Sequence, residues 1–283
     1  MKDQQKPTFL IAGAQKCGTS SLHAYMAQCA GVYCSAPKEL HYFDDGYLTP
    51  TQDAYLKHFS LTNCSIRGES TPVYMCYPGV AQRIRQQLGA VKVIFICRDP
   101  VARAYSHYWH EVKLGWEGRT FEQAIEQELQ LLQQADSLLQ LDEDYLRHYS
   151  YLYRGLYDFH LSTFTAALGQ DCVKVIEFEQ LVKQPRAITR ECLAFVGADP
   201  AKLAELQSEP RNKSKLPLWP AYNRIAGRAE KRFGPDNLLS RLIKKSNLVE
   251  RKYPAMSQSQ NILAEETLRQ IAALPLFKVE AQT

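Results

Sequence analysis

The chain has 283 residues, 45% hydrophobic and 23% charged, with a formal net charge of +4. That composition excludes a disordered chain, and the mild positive balance is too small for a nucleic-acid binder while suiting an anionic ligand. No Gly/Ser linker, low-complexity tract or repeat divides the sequence, so a single domain over 1–283 is expected.

Met1 to Pro7 is polar, and the apolar run from Phe9 to Ala14 is too short to cross a membrane. The start lacks the layout of a signal peptide, and no later stretch reaches transmembrane length, so a soluble, cytoplasmic protein without a membrane partner is expected. The cysteines at 17, 29, 34, 64, 76, 97, 172 and 192 form no CxxC pair and no Cys/His cluster of zinc spacing. Reduced thiols and no metal site are expected.

Thr8 to Ala12 reads as a buried strand, broken by Gly13 to Gly18. Thr19, Ser20 and Ser21 are good helix N-cap residues, and Leu22, Tyr25, Met26 and Cys29 follow at helical spacing. Val80, Ile84 and Leu88 mark a helix after Pro78, and Val91 to Cys97 is a β-branched strand. Pro100 opens a helix carrying Val101, Ala104, Tyr105 and Tyr108. Gly115 to Tyr153 contains Trp116, a Gln/Leu-rich helix from Phe121 and tyrosines at 145, 149, 151 and 153, which suit either acceptor contacts or a core. Cys172 to Phe178 is a third strand, and a helix after Pro185 carries Ile188, Cys192, Leu193 and Val196. Strands alternating with helices predict an α/β fold with a central, mostly parallel sheet flanked by helices.

Two loops leave strand carboxyl ends, where such folds bind ligands. Gly13 to Ser21 supplies glycines that let backbone N–H groups converge on an anion, a helix N-terminus, three hydroxyls and the cation of Lys16. It approaches a P-loop, but Lys16 precedes Gly18 instead of following it, which predicts phosphate binding without the usual magnesium arrangement. In the second loop Arg98 ends a strand, where a fork-shaped cation grips phosphate, and Ser106 lies further along the following helix. Asp99 is a candidate cap, and Arg103 is expected to pair with Asp99 or face solvent.

Together these segments carry a family resemblance. Ala14-Gln15-Lys16-Cys17-Gly18-Thr19-Ser20 resembles the 5′-phosphosulfate loop of sulfotransferases that use PAPS (3′-phosphoadenosine 5′-phosphosulfate). Phe95 to Pro100, continuing through Arg103 to Tyr108, resembles their 3′-phosphate segment, closest to the heparan-sulfate (Golgi-type) branch and its bacterial relatives. Pro37-Lys38-Glu39-Leu40-His41-Tyr42-Phe43-Asp44 resembles that branch's catalytic loop, and Gly68 to Tyr74, Gly155 to Leu161 and Val175 to Leu181 resemble later landmarks.

The resemblance implies transfer of a sulfuryl group from PAPS to a hydroxyl or amine of a small-molecule natural product or a glycan, releasing PAP. It makes Glu39 the general base, its pKa expected to be raised by partial desolvation beside Leu40 and Phe43. Lys16 neutralises the leaving phosphate, while Gln15, Cys17, Gly18, Thr19 and Ser20 complete the donor loop. Arg98 and Ser106 hold the 3′-phosphate, and Asn212 and Lys213 belong to a basic loop closing over the donor. Lys38, Glu39, His41 and Asp44 line the acceptor side, and His41 joins Lys16 and Glu39 as a catalytic candidate, orienting Glu39 or the acceptor, or else packs structurally. Ser70 stands where some relatives have a sulfate-site lysine, so either Lys38 replaces it or the chain resembles other bacterial members of the family. A P-loop kinase or NTPase and a non-catalytic nucleotide-binding module remain the alternatives.

Overall fold

The structure, a computed structural model, describes residues 6–44, 51–60, 62–203, 205–207, 216–217, 248–249 and 253–277. The chain forms two compact units: Met1–Asp99 with Leu156–Arg211, and Pro100–Gly155 with Asn212–Thr283. Each unit thus draws on two stretches of chain, a division for which the sequence offers no linker.

The first unit is built on a five-stranded parallel sheet of β1 (Phe9–Gly13), β2 (Val32–Cys34), β3 (Ile66–Ser70), β4 (Lys92–Cys97) and β5 (Val173–Glu177), in the order β2-β3-β1-β4-β5. β1 and β4 are central and apolar, as expected for strands covered on both faces. β2 and β3 are strands that the hydrophobic pattern did not mark, because Tyr33, Arg67, Gly68, Glu69 and Ser70 break any apolar run. The helix pairs α1 (Thr19–Met26) with α8 (Pro185–Phe195), and α3 (Val80–Leu88) with α6 (Tyr157–Leu168), pack around the sheet. On α8 the buried stripe is Ile188, Thr189, Cys192 and Leu193, the spacing of one helix face. Short helices α2 (Gln52–Lys57) and α7 (Phe178–Lys183) complete the unit.

The second unit contains α4 (Pro100–Leu114), α5 (Phe121–Gln134) and α9 (Gln258–Ala272), with α9 packed on α4 and α5. Capping boxes start α5 at Thr120/Gln123 and α9 at Ser257/Gln260. Two short antiparallel strands, β6 (Leu216–Pro217) and β7 (Leu248–Val249), pair with each other. Tyr145, Tyr151 and Tyr153 are buried, so three of the four tyrosines noted in the sequence are core. Arg103 is also fully buried, not solvent-facing, and donates to the Tyr151 carbonyl.

None of the eight cysteines is in a disulfide, and Cys17, Cys29, Cys76, Cys172 and Cys192 are buried. Among the described residues no helix is long and apolar enough to cross a membrane.

Candidate active site

Because all five strands of the large sheet are parallel, the loops that follow them emerge at one edge. The loop after β1 lies centrally there. The register of β1 against β4 shifts between Ile11 and Gly13, immediately before the loop. The Ala14 amide is held by the Ile96 carbonyl at 2.9 Å, and the Cys17 amide turns back to the Ala14 carbonyl at 3.2 Å. Cys17 is buried, with its thiol 3.8 Å from both the Gln15 carbonyl of the loop and the Tyr157 hydroxyl.

Gly18 is the N-cap of α1, with φ +84° and no side-chain cap. The hydroxyls of Thr19, Ser20 and Ser21 therefore do not cap this helix, contrary to expectation. Helix entry is governed by the left-handed glycine, and a β-carbon there would lie 3.1 Å from the Phe178 ring. The first amides of α1 have no carbonyl one turn earlier to accept them, and its first turn carries no acidic residue. That end is electropositive and open to an anion.

The loop after β2 carries the candidate base. Glu39 is 43% exposed at its side chain and forms an ion pair with Lys38. His41 Nε2 lies 3.9 Å from Glu39 Oε2, and His41 Nδ1 lies 2.5 Å from Asp44 Oδ2, whose side chain is buried. With Nδ1 held by Asp44, the Nε2 side of the ring faces Glu39. Lys38, Glu39, His41 and Asp44 thus form one cluster. Leu40 and Phe43 are buried in the core, and the polar groups beside the Glu39 carboxylate are Lys38 and His41.

Lys16, Glu39 and His41 have φ of 70°, 63° and 51°. Among the described residues they are the three non-glycine residues in the left-handed region. Such a conformation costs roughly 1–2 kcal/mol per residue and persists where the surroundings impose it, often at functional sites.

After β4, the Arg98 guanidinium stands 5.1 Å from the centre of the Phe178 ring. At that distance the cation is attracted by the ring's π-face. Among the described residues it makes no hydrogen bond or ion pair. Phe178, at the start of α7, therefore touches both Arg98 and the space above Gly18. The sequence marked its segment as a landmark without giving this ring a role. Burial pushes the neighbouring Cys97 thiol up to about 12, so it stays protonated. Ser106 lies on α4 in the second unit and is nearly buried. Asn212 and Lys213 lie outside the described residues.

Glu69, given no role of its own from the sequence, is fully buried on β3, where its carboxylate accepts from Tyr55 Oη at 2.9 Å, Tyr74 Oη at 3.0 Å and Thr71 Oγ1 at 2.5 Å. Burial raises its pKa, while these hydroxyls and the Leu40 amide work in the opposite direction.

In the second unit Glu117 is held by the amides of Gly118 and Arg119, the Arg119 side chain and Tyr151 Oη. A cavity of about 510 Å³ lies beside it, lined in part by Trp116, Arg119, Asp142 and Tyr149.

A parallel α/β sheet whose first strand feeds a lysine-bearing glycine loop and a helix N-terminus defines a phosphate-binding protein of the nucleotide-dependent kind. More specifically, the sulfotransferase domain family matches residues 6–215, and the chain belongs to that family. A sulfotransferase crystal structure from Alicyclobacillus acidocaldarius is similar with a TM-score of 0.60 at 28% identity, covering 83% of this chain and 99% of that one. The membrane-associated sulfotransferase kil1 of Dictyostelium discoideum is 34% identical over 111 residues, 38% of this chain and 23% of its own length. The human bifunctional heparan sulfate N-deacetylase/N-sulfotransferase 2 is 26% identical over 208 residues, 69% of this chain and 22% of its own length. The chain thus spans less than a quarter of the length of these two curated relatives.

Proposed function

We propose that the protein transfers a sulfuryl group from PAPS to a hydroxyl or amine of a small-molecule natural product or carbohydrate, releasing PAP. In this reading the two units act as one catalytic domain of a soluble, cytoplasmic enzyme. The observation that carries it is the coincidence of strain and chemistry. The three non-glycine residues with left-handed backbone are Lys16, Glu39 and His41, the residues that the family resemblance makes catalytic.

The donor supplies the sulfuryl group, and the chain's own residues do the rest. Lys16 and the first amides of α1 offset negative charge on the phosphate side as the S–O bond breaks. Glu39 takes the acceptor proton while the acceptor's oxygen or nitrogen bonds to sulfur. The Asp44–His41 pair orients Glu39 and stabilises the proton it gains. Lys38 neutralises the carboxylate in the resting site and is released toward the sulfuryl oxygens. Gln15, Cys17, Gly18, Thr19 and Ser20 form the donor loop. Arg98, with Ser106 and the loop bearing Asn212 and Lys213 by the family pattern, selects the 3′-phosphate.

A thermal-shift series with PAP, AMP and ATP, each with and without EDTA and magnesium, tests the reading. Stabilisation by PAP, indifferent to EDTA and much larger than by AMP or ATP, is expected. Magnesium-dependent stabilisation by ATP would replace it with the kinase reading. Stabilisation by PAP without transfer of labelled sulfate would leave a binding module.

A further inference from the structure

We propose that Glu69 is a positioning residue whose buried carboxylate holds the 38–44 loop in the shape that presents Glu39. The proposal rests on the assignment of Glu39 as the general base.

The loop has two left-handed residues, Glu39 and His41, and neither is a glycine that adopts such a shape freely. Something must impose it, and the fastenings come almost entirely from β3 and the turn that follows. The Glu39 amide donates to the Ser70 carbonyl at 3.0 Å. The Leu40 amide bonds the Glu69 carboxylate. The Tyr42 and Phe43 amides donate to Tyr74 Oη at 2.9 and 3.4 Å. Arg83 Nε takes the Phe43 carbonyl at 2.7 Å.

Glu69 fixes the polarity of this arrangement. A tyrosine hydroxyl has one proton and can either donate it or turn it toward the loop. Tyr74 commits its proton to Glu69 Oε1 at 3.0 Å, which leaves its lone pairs facing the loop amides. Tyr55 donates to the same carboxylate oxygen at 2.9 Å and stacks on Tyr42, ring centres 4.4 Å apart. Thr71 satisfies Oε2 at 2.5 Å. A fully buried carboxylate is costly in a core strand, yet this one is surrounded by donors that lead to the loop bearing the base.

The test compares the full-length parent with Tyr74→Phe and Glu69→Gln, each alone and combined with Glu39→Gln. Tyr74→Phe keeps the ring and removes the acceptor for two loop amides. Glu69→Gln keeps the size and reverses one end of the network. Turnover of labelled PAPS is followed with N-desulfated heparan sulfate and with water as acceptors, alongside PAP affinity by calorimetry and the melting temperature of each variant.

Each single variant is expected to lose roughly ten- to a hundredfold in kcat while PAP affinity stays within about twofold. In the Glu39→Gln background the same substitutions are expected to change kcat by less than about twofold, because the base they position is gone. Undiminished kcat in Tyr74→Phe, or a loss of the same size with Glu39 already removed, would overturn the positioning role while leaving the base in place. Parental turnover by Glu39→Gln alone would overturn the base assignment, and this proposal with it. If Glu69→Gln does not fold, Tyr74→Phe decides.

Discussion

Glu39 and His41, one residue apart, both carry left-handed backbone, and their side chains converge to 3.9 Å between Oε2 and Nε2. A helix would send the side chains of i and i+2 around the axis, and a strand would hold them on one face roughly 6.5–7 Å apart. The loop instead brings the proposed base and the imidazole proposed to orient it together within one short stretch of chain. Its distinctive chemistry is therefore a product of backbone shape as much as of residue type.

Glu39→Gln should remove the proton acceptor while keeping size. A general base contributes roughly 10²–10⁴-fold, so turnover on a hydroxyl acceptor should fall by about two orders of magnitude or more. PAP affinity and melting temperature should hardly change, because the side chain is partly exposed and its ion pair with Lys38 contributes about 0–1 kcal/mol. Labelled-sulfate transfer and calorimetry check both halves. Full activity on a hydroxyl acceptor would pass the role to His41.

Arg98→Ala should weaken PAP by roughly tenfold or more, the loss of a charge-assisted contact of about 1.5–3 kcal/mol. Adenosine 5′-phosphosulfate, lacking the 3′-phosphate, should bind parent and variant alike. Arg98→Lys should recover little, since an ammonium neither stacks on Phe178 as a plane nor offers a fork. Equal weakening of both nucleotides in the alanine variant would make Arg98 structural.

Gly18→Ala combines a left-handed backbone penalty of roughly 1–2 kcal/mol with a clash against Phe178. Gly31→Ala is the matching control, with φ +87° and nothing within 4 Å of its added carbon. Urea denaturation should show a larger loss for Gly18→Ala than for Gly31→Ala. Only Gly18→Ala should also weaken PAP. Equal losses would mean that the Phe178 contact yields without cost.

Glu128 is buried on α5 and accepts from the Leu152 and Tyr153 amides and from Tyr145 Oη. Burial pushes its carboxyl up to about 7 from an ordinary value of 4.5, against those bonds. Between these values the folded protein holds a proton that the unfolded chain has released. The contribution to stability is thus complete below pH 4.5 and is lost as pH rises through about 7. The swing is about 3 kcal/mol. Glu128→Gln should flatten this stretch of the stability–pH curve measured by urea denaturation, and an unchanged slope would refute the assignment.

The sequence made some of this legible and hid the rest for identifiable reasons. β1, β4 and β5 announce themselves by apolar or β-branched runs, whereas β2 and β3 are short and polar and become strands only by pairing with their neighbours. Lys16, Glu39 and Arg98 are proposed as site residues through motif resemblance. The strain at residues 16, 39 and 41 was not legible, because no glycine marks it. Glu69 was hidden because its donors Tyr55, Thr71 and Tyr74 meet only once the sheet and the turn after β3 have formed. Arg103 looked like a surface charge because sequence shows a guanidinium's charge but not the distant carbonyl that accepts it.

The pairing of β4 with β5 has a consequence for biosynthesis. Residues 98 to 172 separate the two strands, so β4 leaves the ribosome well before its partner. Until Val173–Glu177 is made, the outer edge of Lys92–Cys97 presents unpaired amides and carbonyls on a strongly apolar strand. An open edge of that kind templates association with other chains. A nascent or truncated chain ending near residue 155 is accordingly the form most in need of a chaperone, and the arrival of β5 is the step that ends the exposure.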